Sequence, residues 1–186
     1  MNKKSIIFVA GHRGLVGSAL VRNLQKRDYV NLLMRTHAER DLANQRKLHE
    51  AKICDKPAVS VWGTDTPRRE SLYSDDMADA CVFLANLPVS QFDTLLGSDE
   101  AEIGVFMPPL VNIGVGEDPT IRQLSELIKD VIGFRGNIVF DTDRPDGTPR
   151  KLLDVTRLVA LGWQAKTPLR QGLVAAYQSF MSMEDA

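Results

Sequence analysis

The apolar pattern changes period twice within the first fifty residues. Ile6-Ile7-Phe8-Val9-Ala10 is continuously apolar and rich in β-branched side chains, as a parallel strand buried on both faces requires. Leu15, Ala19, Val21 and Leu24 then line one side of a predicted helix, with Arg22, Gln25 and Lys26 on the other. Val30 to Met34 reads as a second strand, and residues 42–52 as a weakly amphipathic helix. Ala58 to Trp62 is a short strand, and Gly63 to Arg69 a loop. Ser74 is placed to cap a helix whose first turn carries Asp75 and Asp76, the charge that suits the positive end of a helix, and which runs to about Leu87.

Residues 88–109 are interrupted by proline and glycine and read as a loop, and Leu110 to Val115 as a strand. Thr120 opens the clearest helix of the chain, with Ile121, Leu124, Leu127, Ile128, Val131 and Ile132 on one face. Gly133 and Gly136 bracket its exit. Ile138 to Phe140 is a strand, Asp141 to Arg150 a turn-rich loop, and two helices near 155–161 and 168–182 follow. Strands alternating with helices predict an α/β fold.

Composition narrows the function. The 186 residues are 44% hydrophobic and 25% charged, the balance of a globular domain. The 23 basic and 24 acidic residues leave no broad basic footprint, so nucleic acid is not an expected partner. Cys54 and Cys81 form no CxxC pair, and His12, His37 and His49 are scattered, so neither a disulfide framework nor a metal site is expected. The opening apolar run is shorter than the roughly 7–15 residues of a secretion signal's core. No stretch approaches the ~20 apolar residues of a membrane span. No membrane partner is expected, and the expected compartment is the cytoplasm.

The chemistry-bearing motif is Gly11-His12-Arg13-Gly14-Leu15-Val16-Gly17. It follows a predicted strand and opens a predicted helix, the context in which such a triplet holds a dinucleotide's pyrophosphate. The first glycine allows the tight turn, the second the approach of the backbone to phosphate, and the third close packing of helix on sheet. Free N–H groups and the positive end of the helix dipole face the anion. An NAD site places an acidic residue at the end of the second strand. This chain has Arg35 there and Arg13 in the turn, which favours the extra 2′-phosphate of NADP.

These residues lead to a resemblance. The GHRGLVGSA turn is similar to the start of the GDP-L-fucose synthases, NADP-dependent epimerase/reductases of the extended short-chain dehydrogenase/reductase family. The similarity resumes at Val61-Trp62-Gly63-Thr64, Thr66-Pro67-Arg68-Arg69-Glu70 and Asp75-Asp76-Met77-Ala78. It continues at Asn112-Ile113-Gly114 and Thr120-Ile121-Arg122-Gln123-Leu124. It is closest from Pro145-Asp146-Gly147 to Val155, then at Leu161-Gly162-Trp163. The resemblance implies a partial Rossmann-like parallel sheet with a small C-terminal α/β substrate-binding part. It divides the chain into a dinucleotide part, residues 1–50, and a nucleotide-sugar part, residues 51–186. Residues 11–17, with Arg35 and the segment carrying His37, Asp41 and Leu42, would line NADP(H). Trp62, Arg69, Asp146 and Lys151 would contact a GDP-sugar. The implied activity is NADPH-dependent epimerisation and reduction of GDP-4-keto-6-deoxy-D-mannose by a homodimer.

The sequence also departs from the family. Its chemistry depends on a Ser and a Tyr-x-x-x-Lys pair, the tyrosine moving a proton at the sugar oxygen. Four residues beyond Tyr29, Tyr73 and Tyr177 stand Leu33, Met77 and Met181, so no such pair exists in this sequence. The middle segment that carries it is missing, with a join near Leu48-His49-Glu50-Ala51. His49 and Cys54 lie in surroundings unlike those of the family's epimerising His and Cys. His37 stands where an arginine often holds the 2′-phosphate. Three readings follow: an enzyme by descent, a non-catalytic, internally deleted remnant with at most weak ligand binding, and a small binding or regulatory module that partners the intact enzyme.

Overall fold

The structure, a computed structural model, describes residues 1–10, 14–35, 52–96 and 110–184. In chain order the elements are β1 (Ile7–Ala10), α1 (Leu15–Lys26), β2 (Leu32–Arg35), β3 (Ala58–Trp62), β4 (Arg68–Arg69), α2 (Ser74–Ala85), α3 (Val89–Leu96), α4 (Ile121–Ile132), β5 (Asn137–Asp141), β6 (Arg150–Lys151), α5 (Thr156–Ala160) and α6 (Leu169–Glu184). Every strand pair among the described residues is parallel: β1 with β2, β3 with β5, and β4 with β6. This is the expected α/β class.

The chain forms two compact units, each drawn from three segments. The first takes residues 1–39, 74–115 and 153–166. Here β1, α1 and β2 make a β-α-β unit, with Ile7 opposite Leu32 and Ala10 opposite Arg35. Val9, Leu24, Tyr29 and Val82 form its core, and Ile7, Leu20, Val21 and Leu32 pack around them. Helix α1 lies against α2. Gly17 and Ala19 on one helix and Ala78 and Ala80 on the other are buried, and side chains this small let the two axes approach closely. A second cluster joins Ala80 to Leu158 and Trp163. The Trp163 indole donates to Asp79 Oδ2 at 3.0 Å, so its one polar atom is satisfied where it is buried.

The second unit takes residues 40–73, 116–152 and 167–186. Helix α4 is fixed at both ends by local chemistry. Thr120 and Gln123 form a reciprocal capping box, and Gly133 ends the helix at φ +73°. Helix α6 packs against α4, and Gly172 comes so close to Tyr73 that a Cβ there would lie 3.2 Å from that side chain.

Several predicted elements change. Residues 110–115 carry no strand, although Val111 and Ile113 do turn inward onto the Leu158–Trp163 cluster. The alternation was a burial signal, and no neighbouring strand pairs with it among the described residues. The predicted 88–109 loop contains α3, where Pro88 O accepts the Phe92 N–H at 3.0 Å. Proline breaks a helix in its interior but suits its first turn, where no N–H is needed. Ser74 is the first residue of α2 itself. The predicted helix at 42–52 and the join near residues 48–51 fall almost wholly outside the described residues.

Candidate functional site

The glycine turn enters the described residues at Gly14, which caps α1 with extended backbone, φ −76° and ψ 168°. No side chain caps this helix and its first turn holds no acidic residue. The first N–H groups of a helix have no partner within it and can meet an outside acceptor. Leu15 and Val16 are exposed, and Gly17 is buried where α1 packs. Arg35 ends β2 in register with Ala10, at the carboxyl ends of both strands, the side from which such sheets receive ligands. Gly11, His12, Arg13, His37, Asp41 and Leu42 lie outside the described residues. The described corner fits the pyrophosphate end of a dinucleotide.

The predicted nucleotide-sugar residues all belong to the second unit. Alternation along β3 turns Val59 and Val61 inward and Ala58, Ser60 and Trp62 outward, which leaves Trp62 70% exposed. The next residue, Gly63, is buried at φ +87° and donates to Asp141 O at 2.9 Å. Asp146 then holds the turn. One carboxylate oxygen accepts the Thr64 N–H at 2.7 Å and the other the Thr64 hydroxyl at 2.6 Å. The Asp146 carboxylate is spent on the protein's own turn, so its described part is positioning.

Arg69 and Lys151 meet across the β4–β6 pair, whose register is Arg68 with Arg150 and Arg69 with Lys151. Partners in register share a face, so the four cations divide two and two. Arg68 and Arg150 converge on Asp118, which is 6% exposed, with contacts of 3.2 Å and 2.5 Å. The hydrogen bond from Arg150, helped by that from Arg68 and opposed by burial, holds the Asp118 carboxyl below the usual carboxylate range. Arg122 is paired with Asp65, and Arg144 faces Asp141 at 3.8 Å. Arg69 and Lys151 have no carboxylate partner among the described residues. Arg69 donates to Arg68 O at 2.7 Å, and a Cβ on Gly147 would lie 3.0 Å from its guanidinium.

Sequence reasoning overlooked Asp118, Thr64 and Arg144. The signal for Asp118 was the repeated basic pair, Arg68-Arg69 and Arg150-Lys151, which needs an anion between its members if the two are to lie side by side. Among the described residues no group of His, Cys, Asp and Glu is placed to hold a metal. No helix there is long and apolar enough to cross a membrane. Cys54 and Cys81 are both free thiols, and burial pushes the Cys81 thiol up.

Comparison with known proteins finds similar sequences and similar folds. Residues 7–60 match the NAD dependent epimerase/dehydratase family. A GDP-L-fucose synthase of Sinorhizobium fredii is 47% identical over 137 residues, which cover 74% of this chain and 38% of that protein. One from Escherichia coli is 44% identical over 142 residues, covering 75% and 41%. In structure, a GDP-6-OMe-4-keto-L-xylo-heptose reductase from C. jejuni is similar with a TM-score of 0.84 at 20% identity, covering 98% of this chain and 99% of that one. A GDP-L-fucose synthetase from Naegleria fowleri bound to NADP gives a TM-score of 0.59 at 20% identity, covering 92% and 53%. These folds are of the Rossmann-like kind expected from the parallel β-α-β start. The chain is similar to the GDP-L-fucose synthases over about three quarters of its own length and about two fifths of theirs.

Proposed function

We propose that this chain is a ligand-binding remnant of the GDP-L-fucose synthase architecture. Residues 51–186 bind a GDP-sugar and residues 1–50 a dinucleotide, and epimerisation and reduction are not completed. The observation that carries the reading is the pair Arg69 and Lys151, two cations in register on one face with no carboxylate partner among the described residues. Arginine forks onto a diphosphate and lysine adds a point charge. Trp62 offers a flat apolar surface to a base. Asp146 contributes by holding the Gly63–Thr64 turn that follows Trp62.

The dinucleotide we assign is NADP(H). Gly11, His12, Arg13, Gly14, Leu15, Val16 and Gly17 would meet its pyrophosphate, and Arg35, His37, Asp41 and Leu42 its adenosine end. When bound, the cofactor supplies the hydride for reduction of a keto sugar. What this chain lacks is the proton chemistry, since none of its tyrosines has a lysine four residues on. A positioned acid–base group typically contributes roughly 10²–10⁴-fold, so losing the set removes useful turnover. The second reading, that the chain itself makes the product, is favoured by its 47% identity over 137 residues to a GDP-L-fucose synthase. By the same resemblance we place the protein in the cytoplasm, as a homodimer.

Calorimetric titration with GDP-mannose tests the binding site. Binding that weakens at least tenfold in Arg69→Ala and in Lys151→Ala, and weakens with added salt, supports it. Undiminished binding in both variants overturns it.

A further inference from the structure

Trp62 is 70% exposed, so burial does not select its indole orientation. Arg144 does face it. The guanidinium carbon lies 5.1 Å from the centre of the Trp62 ring, within the range of a cation–π contact. Arg144 is placed in turn by the end of β5. Its N–H donates to Asp141 O at 3.2 Å, and its Nε faces Asp141 Oδ2 at 3.8 Å. The other Asp141 oxygen accepts the Asp143 N–H at 3.3 Å, which shapes the same turn. Asp141 O also accepts the N–H of Gly63, the residue after Trp62, and Trp62 is the strand partner of Asp141. One residue therefore tethers both the backbone that carries the indole and the cation that lies on it.

We propose that Arg144 is a positioning residue of the nucleotide-sugar site: held by the Asp141 turn, it covers one face of the Trp62 indole and fixes the ring so that its other face receives the ligand's base. This rests on the reading that Trp62 meets a nucleotide sugar. Arginine suits the role because its guanidinium is flat and can stack, whereas a lysine ammonium is a compact, strongly hydrated point charge.

The test separates positioning from direct contact with phosphate. Arg144→Ala and Arg144→Lys are compared with the unaltered chain for binding of guanosine, which has no phosphate, and of GDP-mannose. Fluorescence anisotropy decay reports the mobility of Trp62, with the Trp163 contribution taken from Trp62→Phe. The expected result is greater Trp62 mobility in Arg144→Ala and a loss of about two- to fivefold in affinity, equal for the two ligands, the size of an exposed cation–π contact. Arg144→Lys restores only part of both. Unchanged mobility, or a loss confined to GDP-mannose, overturns the proposal. If the unaltered chain binds neither ligand, the nucleotide-sugar reading falls and takes this inference with it. If it binds both and Arg144→Ala changes nothing, the inference alone falls.

Discussion

Gly63→Ala bears most directly on how the Trp62 end of the molecule is built. At φ +87° an alanine sits in the region L-residues avoid, at a cost of about 1–2 kcal/mol. The new Cβ would also fall on Asp146 Oδ1, far inside van der Waals contact, so the carboxylate must leave. Its departure breaks the 2.7 Å bond from the Thr64 N–H and the 2.6 Å bond from the Thr64 hydroxyl. Both are exposed, so each is worth the lower part of the usual range, about 0.5–1 kcal/mol. The sum is about 2–4 kcal/mol, a large part of a typical domain's stability of about 5–15 kcal/mol. Urea denaturation reads it as a lower midpoint at unchanged slope. A double-mutant cycle with Asp146→Ala isolates the cause: with the carboxylate gone the clash disappears, so the two losses sum to more than the loss in the double variant. A midpoint unmoved by Gly63→Ala, or fully additive losses, would refute the clamp.

Three further outcomes follow from local geometry. Gly136→Ala places a Cβ 2.7 Å from Lys56 O and 2.8 Å from Pro57 O, backbone atoms that cannot step aside, and should cost about 1–3 kcal/mol in thermal or urea melts. Thr120→Ala removes the capping box of α4 and should cost about 1 kcal/mol, while Thr120→Ser should cost much less. Asp79 has its carboxyl lowered: burial pushes it up, but the Trp163 indole N–H, Lys166 and Arg27 together outweigh that. A carboxyl lowered on folding stabilises the fold above its unfolded value, and that stabilisation is lost as pH falls through the folded value. Acid titration of stability should therefore be shallower in Asp79→Asn, and an identical acid limb in the two proteins would contradict the assignment.

The parts of the fold legible in the sequence were those decided by neighbours in the chain. Helix α4 announces itself because Thr120, Gln123 and Gly133 supply both ends within fourteen residues of one another. The β1–α1–β2 unit announces itself through a change of period at the glycine turn. Strands β4 and β6 do not, because two residues carry no period and their pairing joins positions about eighty residues apart. The use of Asp118 is hidden for the same reason: its charge is committed to two arginines that only the fold brings to it. Trp62, Arg69, Asp146 and Lys151 could be named from family resemblance alone. Resemblance could not distinguish the residue that braces the turn, Asp146, from the two left with charge to offer, Arg69 and Lys151.

The central claim is that binding has been kept and the chemistry has not. The most direct measurement mixes the purified chain with NADPH and GDP-4-keto-6-deoxy-D-mannose, follows nicotinamide absorbance, and separates the nucleotide sugars at the end. The account predicts saturable binding of the sugar nucleotide with no oxidation of NADPH and no GDP-L-fucose. Steady NADPH oxidation with GDP-L-fucose formed in proportion to this chain would contradict it.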